Sequence, residues 1–477
     1  MRDIVIRELR SLLLLLDELL NALPPYGPQK LAELLHETAE SLWEVLEEVL
    51  KSPRYNSPEY VNLLRMVQEI HTHYLKYIAF SPVVSPPFEA FLPMISLAKS
   101  LNINNFALAL LPSEAYNYGI EAYEDLWETT QEEIKNLCDS FGINIPPKPK
   151  GNYPKWFIEV SLPFIERRNA LMYPLLLHEF AHLKDYNENI GQHIFKDMLP
   201  SLNVQKMSSV LESINSKDML RKRVEEQLRI AQVELNFPQL PKVPSKVNRF
   251  TAQLLASWLE MSKRWIGEYV ADFIAVRTAG LAYFFSLYEF ARICSNLDNY
   301  SPTHPSFRAR LSYLVPELKS MGYKICDSED SISEILHNVI KDVDSRSYEP
   351  LDNPFYEIPY DFLNNCIPVI RKKVHECPSI KVFNDEAYKI HVPDWSEKIS
   401  QGLLPYIGFD TNRMSLEANG IIAILNAGWE IYLTRLDDFC ATIGCRDIKE
   451  RDKALINLND LLLKGIESVE VVRIWQS

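Results

Sequence analysis

The feature that most limits how this chain can fold is the alternation of leucine-rich runs with proline clusters over its first 140 or so residues. In LAELLHETAESLWEVLEEVL, apolar residues recur at Leu31, Leu34, Leu35, Leu42, Val45, Leu46 and Val49, with glutamates between them. Steps of three and four place such residues on one stripe of a helix, and the glutamates then form its solvated face. Prolines end each run because they lack the amide donor that a helix interior needs. A helical N-terminal domain, residues 1–150, is therefore expected. The opening MRDIVIRELRSLLLLLDELLNA reads as an amphipathic helix rather than a secretion signal. Asp17 and Glu18 interrupt its apolar run after Leu16, short of the roughly 7 to 15 apolar residues a signal requires.

The segment GINIPPKPKGNYP, residues 142–154, contains four prolines and two glycines, and marks a domain boundary. Beyond it WFIEVSL, Trp156 to Leu162, reads as a strand, and an edge position would let it pair with an extended substrate. An apolar helix enters at Pro174, and residues 187–245 are polar and helix-prone, like an insertion able to cover a cleft. Its end, PQLPKVPSK, reads as a loop. An apolar helix pair follows from Arg249 to about Cys294, then the loop SPTHPSF, then a helix to about Met321. The sequence divides into a helical region 1–150, a core 151–326 and a mixed, mostly helical C-terminal region 327–477, with a possible terminal strand over Val469 to Trp475. The expected class is mainly α (α+β) with a small sheet.

Composition narrows the partners. The 64 acidic residues exceed the 50 basic ones, for a formal charge of −14, so no global positive field is present to hold a phosphate backbone and nucleic acid is not an expected partner. Seven scattered cysteines suit free thiols in a reducing compartment, and a cytoplasmic location is expected. The apolar stretches from Leu281 and Ile421 are shorter than the roughly 18 to 20 residues that cross a bilayer, so no integral membrane segment is expected.

Chemistry concentrates in LLLHEFAHLKDY, residues 175–186. His178 and His182 stand four apart, so on a helix both imidazoles leave one face with the bite of a tetrahedral Zn²⁺. Glu179, beside the first, is placed to take a proton from a water that the ion acidifies. Such a histidine pair can also lie in a core without any metal, so the third ligand decides. A metzincin arrangement would need a glycine and a histidine where Asp185 and Glu188 stand, which makes Glu188 a poor ligand. The better source is WIGEYVADFIAVRTAG, where Glu268 and Asp272 are again four apart on an apolar helix. Glu268 can complete a His₂Glu set, and Asp272 can accept the outer N–H of a liganding histidine. In THPSFRARL, His304 precedes Pro305 in extended backbone and can aim a donor at an oxyanion, while Arg310 can anchor Asp272 or pair at the surface.

The order HEFAH, EYVAD, HPSFRAR resembles the gluzincin zinc metallopeptidases, specifically the family that includes the heat-shock-associated protease HtpX and the CAAX prenyl protease, over about residues 155–320. That resemblance implies a zincin-like core with Zn²⁺ on His178, His182 and Glu268, Glu179 as base, Asp272 as support, and His304 with Arg310 as transition-state and scaffold residues. It implies hydrolysis of peptide bonds in a protein or peptide substrate. The competing expectation is a regulatory protein-binding module with a closed, structural zinc site. His71 and His73, two apart, should face different ways; Cys440 with Cys445, and His375 with Cys377, lack the further ligands of a second metal site.

Overall fold

In a computed structural model of the chain the described residues are 2–22, 27–51, 57–70, 88–113, 117–146, 148, 150–163, 166, 168–235, 249–294, 297–325, 331–344, 353–405, 419–445 and 450–476. They form a mostly helical protein with one three-stranded sheet. The chain separates into two units, residues 1–91 with 103–168, and residues 92–102 with 169–477. The loop 238–246, His71 and His73 lie outside the described residues.

The first unit carries α1 (Arg2–Ala22), α2 (Gly27–Lys51) and α3 (Ser57–Glu69), while α4 (Phe88–Ser100) straddles the division. All seven apolar positions of the expected α2 stripe are buried, packed with Val5, Leu9, Leu12 and Leu16 of α1 and Leu63 and Val67 of α3. Three-and-four spacing thus does here what it does in any bundle, hiding one face of each helix. The strands are β1 (Phe106–Ser113), β2 (Gly119–Glu124) and β3 (Trp156–Pro163), with α5 (Leu126–Phe141) between the last two. Their order is β1-β3-β2, with β3 parallel to β1 and antiparallel to β2.

Two sequence expectations are corrected here. Residues 106–124 hold two strands within a stretch expected to be helical throughout; FALALL is a continuous apolar run, which has no periodicity to separate strand from helix. Trp156 to Leu162 is a strand, but it is the central one, hydrogen-bonded on both sides, so it offers no edge to an extended substrate.

The second unit contains α6 (Pro174–Glu188), α7 (Ile190–Met198), α8 (Val204–Ser216), α9 (Asp218–Glu234), α10 (Arg249–Ala279), α11 (Leu281–Ile293), α12 (Phe307–Ser320), α13 (Ser331–Asp344), α14 (Pro354–His375), α15 (Asp385–Ser400), α16 (Asn419–Glu430), α17 (Leu436–Thr442) and α18 (Arg451–Gln476). The expected terminal strand is absent: Val469 to Trp475 continues α18, because a helix already running from Arg451 outweighs a local β preference. The 31-residue α10 is the axis of this unit, packing against α6, α7, α12 and α14 and burying Trp258, Trp265, Tyr269 and Phe273 completely. Gly280 then takes φ +60°, where a side chain would meet Tyr323 and Phe383, and so α11 turns back against α10. No helix among the described residues is long and apolar enough to cross a membrane.

Candidate metal centre

Helix α6 starts at Pro174, whose fixed φ and missing amide proton suit a first helical position. Leu175, Leu176, Leu177, Phe180 and Ala181 are buried and seat it against its neighbours. His178 is buried with them, and His182 is half-buried one turn later. The helix ends after Glu188 because Asn189 adopts left-handed backbone at φ 54°, so an asparagine makes the turn that a glycine often makes. Glu188 is drawn away from the histidines. It pairs with Lys184 at 2.7 Å and accepts from the Cys377 thiol at 3.2 Å. Asp185 instead accepts the Gly191 amide at the start of α7.

Helix α10 brings Glu268 to the two histidines. Ligating atoms of His178, His182 and Glu268 lie within 4.8 Å of one another, a group able to hold a metal ion. The two Nε2 atoms are 3.0 Å apart, His178 Nε2 is 3.3 Å from Glu268 Oε2, and His182 Nε2 is 3.3 Å from Glu268 Oε1. Atoms bound tetrahedrally at about 2.0–2.1 Å from one ion stand roughly 3.3–3.4 Å apart, so the spacing fits a single centre. Glu268 Oε2 is buried and makes no hydrogen bond; the charged groups nearest to it are His178 Nε2 at 3.3 Å and Arg310 Nη1 at 3.4 Å.

Asp272, fully buried one turn further along α10, supports this group. Its Oδ1 lies 3.0 Å from His178 Nδ1. A carboxylate only accepts, so Nδ1 carries the proton and Nε2 faces Glu268 and His182. Arg310 of α12 grips the same carboxylate with both arms of its fork, Nε at 2.8 Å from Oδ2 and Nη2 at 2.7 Å from Oδ1. Its Nη1 lies 3.4 Å from Glu268 Oε2. His304 stands at the exposed side of the group, its Nε2 3.4 Å from Glu268 Oε1. Every residue singled out in the three motifs thus falls in one cluster of the second unit, Glu179 through its place on α6 beside His178.

Electrostatics follow from this crowding. Burial and the Arg310 charge push the His178 imidazolium down, but Glu268 and Asp272 outweigh them and raise it to about 9. Burial alone would raise the Glu268 carboxyl, yet His304, His182, His178 and Arg310 together hold it well below the usual range. Burial raises the Glu179 carboxyl, opposed in part by the two imidazoles. Around Arg310, the one permanent cation of the group, stand the Glu268 and Asp272 carboxylates and the His178 imidazole.

The motifs did not reveal Tyr283. Its hydroxyl donates to Asp272 Oδ1, and its ring lies parallel to that of His178 at 6.5 Å. A signal existed: one phenol in the apolar run LAYFF must find a buried acceptor. His375 and Cys377 serve different partners, Glu317 and Glu188. Cys440 and Cys445 are half-buried free thiols. Compared with family models, with curated proteins and with solved structures, the chain matches none.

Proposed function

We propose that this protein is a zinc-dependent endopeptidase of gluzincin type, with a zincin-like core in its second unit. The observation that carries the reading is the convergence of His178, His182 and Glu268 at the spacing of one tetrahedral ion, with Asp272 behind the first ligand. Zinc suits two imidazoles and a carboxylate with one position left for solvent. Bound there, it supplies Lewis acidity to a water and to the scissile carbonyl.

The chain's own residues do the rest. Glu179, its carboxyl raised by burial, removes a proton from the attacking water and returns it to the departing amine. His304, on the exposed side of Glu268, donates to the carbonyl oxygen as charge builds on it. Arg310 keeps Asp272 in place, and Asp272 keeps the His178 ring turned with Nε2 inward. A protein or peptide is the substrate class, consistent with a net charge of −14 that disfavours nucleic acid.

The test is Glu179→Gln. The variant is expected to keep about one zinc per chain and to lose hydrolysis of denatured protein substrates by a factor of roughly 10² to 10⁴, the span of a general base. Equal digestion by the variant would sink the mechanism. A metal shell filled by four protein ligands, measured by X-ray absorption on the wild type, would favour the structural-zinc module instead.

A further inference from the structure

We propose that Cys440 and Cys445 form a redox modification site: a dithiol pair that a low-molecular-weight disulfide, such as oxidised glutathione, converts to one intramolecular disulfide. The pair is independent of the peptidase reading, since neither thiol belongs to the candidate metal centre.

In a continuous helix, side chains five residues apart point in different directions. The end of α17 turns the backbone between these two. The Ile443 amide still bonds helically to the Phe439 carbonyl at 3.0 Å, after which Gly444 takes left-handed backbone at φ +80°. The Gly444 amide then reaches the Ala441 carbonyl at 3.2 Å, and the Cys445 amide reaches the Cys440 carbonyl at 2.8 Å. These two bonds make the Schellman ending of a helix, which commonly brings its outermost side chains into contact. Those positions usually hold apolar residues; here both are thiols. The 2.8 Å bond, with ordinary backbone dimensions on either side of it, keeps the two Cα atoms within about 6.7 Å of each other. A disulfide usually closes over roughly 4.4–6.8 Å, so the backbone has no need to move.

Both thiols are half-buried, open enough for a small oxidant to reach. Burial, and after it the charge of Cys445, raises the Cys440 thiol, as befits two sulfurs sharing one place. In the first step one cysteine thiolate attacks a sulfur of the oxidant, forming a mixed disulfide and releasing one small thiolate. In the second, the other cysteine attacks the protein sulfur of that mixed disulfide, expels the second small thiolate and forms the intramolecular bond. Two electrons pass to the oxidant, and the two cysteine protons go to the departing thiolates. Closure also removes the hydrogen that Cys445 Sγ directs at the Glu450 carbonyl at 3.5 Å, just before α18. Oxidation thus exchanges a tie towards α18 for one within the end of α17.

The experiment equilibrates the full chain with mixtures of reduced and oxidised glutathione, alkylates the remaining thiols and reads each cysteine by mass spectrometry. Trypsin releases residues 436–446 as one peptide that contains both cysteines. Expected is that peptide free of alkyl groups and of glutathione and two hydrogens lighter, restored by dithiothreitol, while the exposed Cys294 carries only glutathione or alkyl. Cys445→Ser should leave a glutathione adduct as the only oxidised form of Cys440. The equilibrium constant for closure should be about tenfold larger in the folded chain than in urea, because the turn already holds the two cysteines together. Three results would each overturn the proposal: glutathione on either sulfur of the wild type with no internal bond, a fully alkylated peptide under conditions that load Cys294 with glutathione, or closure no more favourable in the folded chain than in urea.

Discussion

Helices α10 and α12 bear two buried clusters of ionisable groups, and they are built in opposite ways. Around Glu268 and Asp272, carboxylates outnumber permanent cations and two imidazoles converge nitrogen to nitrogen. Around Glu317, the excess is of the other sign. That fully buried carboxylate meets Arg277 Nη1 at 2.7 Å, His375 Nε2 at 2.7 Å and Arg371 Nε at 3.3 Å, and so ties α10, α12 and α14 together. Both clusters would attract notice as perturbed, buried and charged. Only the first presents lone pairs from three residues to one point, and that convergence separates a place for a cation from an ion-pair clamp.

Substitutions can break this contrast. The largest effect is expected for His178→Ala, which should abolish the binding of about one zinc per chain, measured by metal analysis of the purified protein. Retained stoichiometric zinc in that variant would remove the distinction between the clusters. Next comes Glu317→Gln, which leaves two arginines facing a neutral amide. It should destabilise the fold by about 3–5 kcal/mol in denaturant titration, with zinc content of the folded protein unaltered. A variant that lost zinc with little loss of stability would reverse the roles assigned to the two clusters.

Smaller effects sharpen the first cluster. Asp272→Asn removes the charged acceptor behind His178 and should weaken zinc binding about 10- to 100-fold in competition with a chelator, without emptying the site at saturating metal. Tyr283→Phe deletes a hydroxyl that donates to Asp272. A cost of about 1 kcal/mol in stability, with a severalfold change at most in zinc affinity, is expected because Arg310 still holds that carboxylate with two bonds. An effect as large as that of Asp272→Asn would make the phenol a main support of the ligand rather than an auxiliary one.

Parts of this arrangement were legible before any coordinates. His178 with His182, and Glu268 with Asp272, are each pairs four residues apart, and helical geometry alone puts such pairs on one face. The stripe on α2 was legible for the same reason. Features set by partners far along the chain were less visible. FALALL in β1 looks the same to a periodicity argument whether strand or helix, and β3 becomes a central strand only because β1 and β2 pair with it from both sides. Tyr283 depends on the reversal at Gly280, which brings the phenol back to Asp272 eleven residues away.

The amino-acid order by itself determined the helical character, the stripes that become buried, and the two doublets of metal-capable side chains, because each rests on distances within one or two helical turns. Tertiary structure alone decided that Arg310 grips Asp272 instead of pairing at the surface, and that the Glu317 clamp is a separate assembly. The physical reason is that a carboxylate takes whichever cation or donor the packing of several helices brings within about 3 Å, and that packing is a property of the whole unit, not of the local segment.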